Sequence, residues 1–567
     1  MGWPYDLSLS LSDDDKLVRR QTIDFYACVA HYSAIAPVLA LLLLRLVRRA
    51  AASGRDPRDG HGRYDEVPPS PLAKAHRRHP SGSLAARCRR LQWWMHDDVN
   101  LGGMYWGQRH EWILGLAWAS WLLVLCVRDT GKDYLHLTKR FGAIAVSQLP
   151  IQFLLALKAL NPFALAFHSS HEGVNRYHRV LGRIVHFLLL LHILFYNYFF
   201  FVAAIWLKRF FAPVVFCGVV AFMALNALAT TSFARVRQFS YRLFFVVHVA
   251  SAILIPVLIF FHAPSARLYL VEALVVLFLD IGVRKATTVT APSTVEIIPG
   301  TNLVKAVPGA HIYLNVPSAS RINAKSGLFD FLFNPFTVAS VDDHHGTITL
   351  VARVRNGPMT LLLSQFAALS PVPPAEARRI PLAIEGPYGT MGKHFHDLLG
   401  WGAARILLVA GGVGATFALP VYRAIQQELP STKVQLVWAI RSAGDATWAV
   451  SSGGNNGEDR SMLDDDNVHI FLTGDVDVTD GPESVPPGAG AVEMDALSRE
   501  TVLAAGRNRR RPELNKIVDS TFRQGLEEPV AVLVCGPAEM AREVRRCVRP
   551  WAMRGRKVWW HSESFGW

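Results

Sequence analysis

The sequence predicts a membrane-embedded bundle of about seven α-helices followed by two soluble domains, a small antiparallel β-barrel and an α/β domain with a parallel sheet. Three observations predict it. Apolar runs near the spanning length of about 20 residues crowd the first half. Four histidines inside those runs, His178, His192, His248 and His262, form two pairs, each 14 residues apart. After Arg284 the texture changes, first to short alternating strands and then to apolar strands separated by helical patterns.

The chain has 567 residues, too many for one small domain, and 51% of them are hydrophobic. Residues 1–24 are polar and acidic and read as an extracytoplasmic tail. The membrane domain covers 25–284, with spans at 25–47, 110–127, 140–160, 178–206, 212–231, 241–262 and 267–283. The second is the shortest. No cleavable signal peptide is evident, so the first span acts as an anchor. Between Arg48 and Arg90 there are 11 Lys or Arg against four acids, which assigns the loop 48–109 to the cytosol. The N-terminus then lies outside. Arg235, Arg237, Arg242, Arg284 and Lys285 fall inside, and only Lys208-Arg209 runs against the bias. The net charge of +14 sits beside apolar spans, which argues for a lipid bilayer as partner and against nucleic acid. Six cysteines show neither a CxxC nor a zinc spacing, so a disulfide framework is not expected.

Segments 294–298, 303–307, 311–316 and 347–354 read as short strands with turns between them, which gives a barrel domain over 287–395. Arg405–Ala410, Val434–Ile440, Val468–Leu472 and Pro529–Val534 read as parallel strands of an α/β domain over 400–567. Two polar stretches, 443–466 and 476–512, read as exposed and partly disordered insertions, and Arg507–Arg511 within the second reads as a solvated loop.

On a helix 14 residues turn through about 1400°, about 40° short of four turns, and rise about 21 Å. Each histidine pair therefore lies on one stripe. One span separates the two helices, so they run in the same direction. His178 then faces His248 near the inner surface, and His192 faces His262 near the outer one. Haem iron takes axial imidazoles, and ionisable groups inside a membrane default to function, so this pairing predicts two b-type haems one above the other. A lone membrane histidine is more simply a packing residue. His186, about 80° off the stripe, is read that way. His168 and His171 in the inner loop are weaker ligand candidates. Arg179, Arg183 and Arg242 border the inner pair. They suit haem propionates, and equally they suit plain inner-leaflet charge.

The soluble half carries short motifs. Asn334-Pro335-Phe336-Thr337 is followed about 50 residues later by Glu385-Gly386-Pro387-Tyr388-Gly389. Gly411-Gly412-Val413-Gly414-Ala415-Thr416 closes a strand before a helix, where glycines let backbone N–H groups approach a phosphate. Cys535-Gly536-Pro537 closes a later strand, and the chain stops at Glu563-Ser564-Phe565-Gly566-Trp567. Together with the histidine pairs and Ser170-His171-Glu172-Gly173-Val174-Asn175, this ordered set resembles the ferric reductase family of fungi, which belongs with the NADPH oxidases. The resemblance runs from about residue 100 to the end, the insertions excepted.

The resemblance implies a flavocytochrome with a ferric-reductase-like bundle and a ferredoxin-reductase-like module. FAD is held in the barrel and NADPH binds the α/β domain. Electrons pass from NADPH to FAD, to the inner haem, to the outer haem and to a ferric chelate outside, with cupric chelates as a further acceptor. It assigns Pro335, Phe336, Thr337 and Thr360 to FAD, with Gly357 beside the last. The family usually opens the first motif with His, and here the residue is Asn334, which hydrogen-bonds but carries no proton charge. Phe565 resembles the C-terminal aromatic that covers the flavin. Gly411, Gly412, Gly414 and Thr416 hold the NADPH pyrophosphate, and Cys535, Gly536 and Pro537 lie near the nicotinamide. Arg441 follows a strand where it can pair with a ribose 2′-phosphate, although an ordinary surface arginine fits there too. The family use implies the plasma membrane, with an internal membrane as alternative, and an iron or copper uptake system as partner. A superoxide-generating NADPH oxidase is the rival reading, and a membrane scaffold without chemistry a third.

Overall fold

The computed structural model describes residues 5–7, 11–53, 80–102, 104–293, 296–297, 303–306, 311–317, 333–342, 347–353, 358–368, 380–388, 391–450, 465–474, 508, 510–525 and 528–563. The chain divides into two compact units, Met1–Arg63 with Met95–Ala286, and Tyr64–Trp94 with Thr287–Trp567.

The first unit is a helical bundle. Among the described residues five helices are long and apolar enough to cross a membrane: Asp13–Val47, Arg109–Val127, His171–Val202, Pro213–Thr231 and Tyr241–His262. They answer to five of the seven expected spans. The expected span 140–160 is two helices in tandem, Tyr134–Ser147 and Leu149–Leu154. Pro150 explains the break, because its ring fits the first turn of a helix and would disrupt the middle of one. The last expected span is the single helix Arg267–Thr287, which carries Glu272 and Asp280 along its length.

Leu122, Ile144, Leu181, Leu188, Ile255 and Leu270 fill the core of this unit. Phe201, Leu207, Met223, Phe261 and Leu268 stay exposed on its outside, which suits hydrocarbon better than water. Two buried charged residues are held by polar partners. Arg140 donates to the carbonyl of Leu125 at 3.0 Å and lies 4.2 Å over the Tyr26 ring. Asp280 accepts the backbone N–H groups of Ala159 and Leu160, both at 2.9 Å, and so pins the turn before the short helix Pro162–Phe167.

The second unit holds two sheets. The antiparallel one has seven strands in the order Val289–Ser293, Ile380–Tyr388, His311–Asn315, Asn334–Asp342, Thr347–Arg353, Leu303–Ala306 and Glu296–Ile297. The parallel one has the order Val468–Leu472, Lys433–Ile440, Arg405–Gly411, Val530–Cys535 and Val558–Glu563. All six residues of Val530–Cys535 are buried, as expected of a central strand with both faces covered. Ala339 and Val351 from the antiparallel sheet share one core with Leu408, Phe417 and Trp438 of the parallel domain.

Three sequence expectations need adjustment. The insertion expected at 443–466 starts later, because Ala443–Ala446 and Thr447–Val450 are helical. Trp448 there is buried, with its ring 6.0 Å from that of Trp438. Apolar burial outweighs the polar look of the stretch, and 451–464 lie outside the described residues. The insertion expected at 476–512 falls mostly outside them too, yet at its end the carbonyl of Asn508 accepts the N–H of Leu472 at 3.0 Å. The loop 48–109 contains a helix, Pro80–Met95, and a hairpin of Asp98–Leu101 with Met104–Gln108. Trp93 on that helix is buried in the core of the α/β domain beside Val544 and Val548.

Candidate functional site

Both histidine helices begin at a serine. Ser170 caps His171–Val202 by accepting from the N–H of Gly173, and Ser240 caps Tyr241–His262 by accepting from the N–H of Leu243. Each cap stands eight residues before the first histidine of its pair, Ser170 before His178 and Ser240 before His248. The two helices therefore start in the same register, and the 14-residue interval carries that register to the far pair.

The structure brings together the partners that the spacing predicts. The rings of His178 and His248 have their centres 6.1 Å apart, and those of His192 and His262 are 6.3 Å apart. A metal between two imidazoles sits about 2 Å from each nitrogen, which places the ring centres about 6 Å apart. His186 lies outside both pairs, hydrogen-bonded to Asn226 and against Phe222, as a packing residue should.

The outward nitrogens are occupied. His178 Nδ1 donates to the carbonyl of Gln152 at 2.9 Å, His192 Nδ1 to that of Thr138 at 2.8 Å, and His262 Nδ1 to that of Val214 at 2.7 Å. A carbonyl only accepts, so in these three rings the proton is on Nδ1 and Nε2 keeps its lone pair, which at His178 has the Gln152 side-chain amide nitrogen 3.4 Å away. His248 Nδ1 is 3.3 Å from the hydroxyl of Ser232, which itself donates to the carbonyl of Leu228 at 2.7 Å. This is the outer support that metal-bound imidazoles characteristically have. The donor set therefore fits two bis-histidine haems. Beside the His178 pair, Arg237 has a buried Nε with no hydrogen-bond partner and lies 5.8 Å from the Phe244 ring. The sequence reading placed Arg237 only as loop charge. It belongs with Arg179, whose electrostatic neighbours are Arg237, the acidic Glu111, Arg176 and Arg183. Thr138, Gln152, Val214 and Ser232 went unnoticed because three of them act through backbone carbonyls.

In the second unit, Asn334–Thr337 open the strand Asn334–Asp342. These four residues pair with His311–Asn315, whereas pairing with Thr347–Arg353 starts only at Val338. Among the described residues, that leaves one edge of the motif without a strand partner, as a flavin site needs. Thr360 sits in the first turn of Pro358–Ala368, where backbone N–H groups suit an anion. Glu385 is buried and accepts from the hydroxyl of Tyr388 at 2.6 Å. Gly357 and Phe565 lie outside the described residues.

Gly411–Gly414 and Cys535–Pro537 end two adjacent parallel strands and meet at their C-terminal edge. The contact is too close for side chains: a Cβ on Gly414 would lie 2.2 Å from the carbonyl oxygen of Cys535, and one on Gly411 would lie 2.7 Å from Pro537 Cδ. Gly412 has φ 55°, with open space where a side chain would stand. The Trp438 indole donates to its carbonyl at 3.0 Å and steadies the turn. Later strands diverge to opposite sides of Arg405–Gly411, so the two turns flank the switch point of the sheet, where such folds bind ligands. Thr416 keeps its hydroxyl on the carbonyl of Val413 at 2.8 Å and offers only backbone to a ligand. Arg441 is exposed just past the strand Lys433–Ile440. Burial, reinforced by Glu563, pushes the Cys535 thiol up, so it stays protonated. His561, which the sequence reading passed over, stacks on Phe417 with centres 5.7 Å apart and lies 3.0 Å from the Glu563 carboxylate.

Comparison with known proteins follows the same division. The family profile described as Ferric reductase like transmembrane component matches residues 141–259. An FAD-binding domain profile matches 283–392, and the Ferric reductase NAD binding domain profile matches 403–549. The "Probable metalloreductase AIM14" of Candida tropicalis is 24% identical over 62% of this chain and 61% of its own length. The protein of the same name from Scheffersomyces stipitis is 26% identical over 59% of this chain and 62% of its own. The "Ferric/cupric reductase transmembrane component 2" of Schizosaccharomyces pombe is 22% identical over 75% of this chain and 80% of its own. The chain thus spans about three fifths of the length of these two AIM14 relatives. A flavohemoglobin from Malassezia yamatoensis aligns at 14% identity over 76% of this chain and 97% of its own, with a TM-score of 0.32, too slight a likeness to bear on function. Three profiles in this order, together with these metalloreductase and ferric/cupric reductase relatives, support a place for this chain in the fungal ferric reductase family.

Proposed function

We propose that this chain is a transmembrane metalloreductase that moves electrons from cytosolic NADPH, by way of FAD and two b-type haems, to ferric or cupric chelates on the opposite face of the membrane. One observation carries the proposal: four imidazoles stand in two facing pairs, each with Nδ1 engaged by an oxygen. When bound, a flavin accepts a hydride and releases electrons singly while haem iron carries one at a time, so the flavin belongs between nucleotide and haem. His178 and His248 hold the inner haem, and His192 and His262 the outer one. Arg179 and Arg237 are positioned to receive acidic groups at the inner pair.

In the soluble unit, Gly411, Gly412 and Gly414 let the backbone approach the NADPH pyrophosphate, aided by the N-terminus of Ala415–Glu428. Arg441 offers its guanidinium to the 2′-phosphate. Cys535, Gly536 and Pro537 border the nicotinamide, and the protonated Cys535 presents no thiolate to it. Asn334, Pro335, Phe336, Thr337 and Thr360 hold FAD, with Phe565 over the flavin. The charge bias supports a cytosolic position for this unit. Similarity to metalloreductases and to a ferric/cupric reductase supports a metal acceptor, and a protein with that acceptor suits the plasma membrane and an iron or copper uptake system as partner.

Purified protein in liposomes, given NADPH on the side of its soluble unit and a ferric chelate on the other, is expected to yield Fe(II) caught by a trapping dye. Complete loss of that signal on adding superoxide dismutase would sink direct metal reduction and leave an oxidase. A purified, folded protein without a haem spectrum would sink both.

A further inference from the structure

Three glycines in the first unit occupy equivalent places. In an α-helix each side chain leans toward the N-terminus and covers the turn before it, so residue i+4 shields the carbonyl of residue i from any donor outside the helix. A glycine at i+4 leaves that carbonyl open. His192 Nδ1 reaches the carbonyl of Thr138, and the residue four further on is Gly142. His262 Nδ1 reaches the carbonyl of Val214, and the residue four further on is Gly218. The Gln152 side-chain amide donates to the carbonyl of His178 at 3.0 Å, and the residue four further on is Gly182.

The fit leaves no room for a methyl group at the first two. A Cβ on Gly142 would lie 2.8 Å from both Cε1 and Nδ1 of His192, and one on Gly218 would lie 2.6 Å from Cε1 and 2.7 Å from Nδ1 of His262. A Cβ on Gly182 would lie 3.0 Å from Gln152 Nε2. The Gln152 contact is also reciprocal, because His178 Nδ1 donates to the Gln152 carbonyl at 2.9 Å. The same amide nitrogen lies 3.4 Å from His178 Nε2, so residue 152 holds His178 and its turn at three points.

We infer that Gly142, Gly218 and Gly182 are positioning residues: each bares one helix carbonyl to a second donor, and together they fix the tautomer and aim of His192 and His262 and the seat of His178. The inference rests on the two-haem reading above. Its chemistry is the outer support of an imidazole, whose loss typically weakens metal holding about 10- to 100-fold. His248 is the exception, resting on a hydroxyl, so its support does not depend on a glycine.

The test uses the full chain and haem per protein, haem midpoint potentials and flavin content as readouts. Gly142→Ala and Gly218→Ala are expected to cut haem content by about half, sparing the His178–His248 haem and the flavin. Any haem kept by the crowded pair should shift to a higher potential, because an imidazole without its Nδ1 hydrogen bond donates less strongly. Gly115→Ala is the crowding control: its Cβ would lie 2.7 Å from Val180 Cγ1, equally tight but away from any imidazole, and both haems should remain. Gln152→Leu removes the side-chain half of the third seat without crowding, and is expected to weaken the His178–His248 haem alone. It decides the matter if the glycine variants do not fold. Both haems at wild-type potentials in these variants, or equal loss in Gly115→Ala, would overturn the inference. A wild-type protein without haem would instead overturn the functional reading beneath it.

Discussion

His192 is held from two sides by groups of different kinds. Its own helix sets its height, and a carbonyl on the neighbouring helix sets its ring. Removing the ring should therefore act locally. His192→Ala is expected to lose the haem of the His192–His262 pair, halve the haem absorbance, and abolish reduction of an external chelate, while NADPH still bleaches the flavin. Stopped-flow spectra at the flavin and haem bands check this. Bleaching lost in a folded variant would mean that the electron order is wrong. At this scale the sequence was informative where identity carries the function. Two equal intervals in apolar runs exposed the four histidines, because the helical period turns spacing into direction. It was silent about Thr138, Val214 and Gln152, since a backbone carbonyl leaves no residue signature. It was also silent about Arg237, which is half-buried with its Nε out of solvent because a short helix, Ala234–Phe239, precedes and packs on Tyr241–His262.

Elements were legible when one period ran through them and obscure when two requirements met. Long apolar helices and buried parallel strands follow from composition alone. The expected span 140–160 did not survive as one helix, because Pro150 outweighs an unbroken apolar run. The strand Asn334–Asp342 was harder to see, as Asn-Pro at its start looks like a turn; the free edge at that end accommodates the proline. The helix Pro80–Met95 was hidden inside a basic loop, and its anchor is one residue. Trp93 is 8% exposed, lies 6.0 Å from Trp560, and has the Arg545 guanidinium 4.4 Å over its ring. Trp93→Ala should then cost the α/β domain about 3 kcal/mol or more, since the cavity adds to the lost transfer energy. The measurement is the urea midpoint of the intact protein followed by nucleotide-domain tryptophan fluorescence, alongside protease cleavage near residue 90. An unchanged midpoint and cleavage rate would show that the helix merely rests on the domain.

For the whole molecule the consequence is a direction. Two stacked imidazole pairs span the bundle, while both nucleotide-type turns belong to the other unit, and the chain order of the three family profiles matches that division. Electron transfer across such a protein is vectorial only if donor and acceptor meet opposite faces. The 11 Lys or Arg against four acids between Arg48 and Arg90 support the proposed orientation, because cytosolic loops retain positive charge. The prediction follows in sealed vesicles. With the cytosolic face inward, NADPH loaded in the lumen should reduce an external membrane-impermeant ferric chelate, whereas NADPH added outside should do nothing until detergent opens the vesicle. With the cytosolic face outward, the two requirements exchange. Lys208-Arg209, the one cationic pair against the bias, lies in a short helix, Trp206–Phe210, between two apolar helices, and replacing both by Gln should leave the sidedness unchanged. Reduction of the impermeant chelate by nucleotide on its own side of an intact membrane would refute the vectorial path, whatever the haem content.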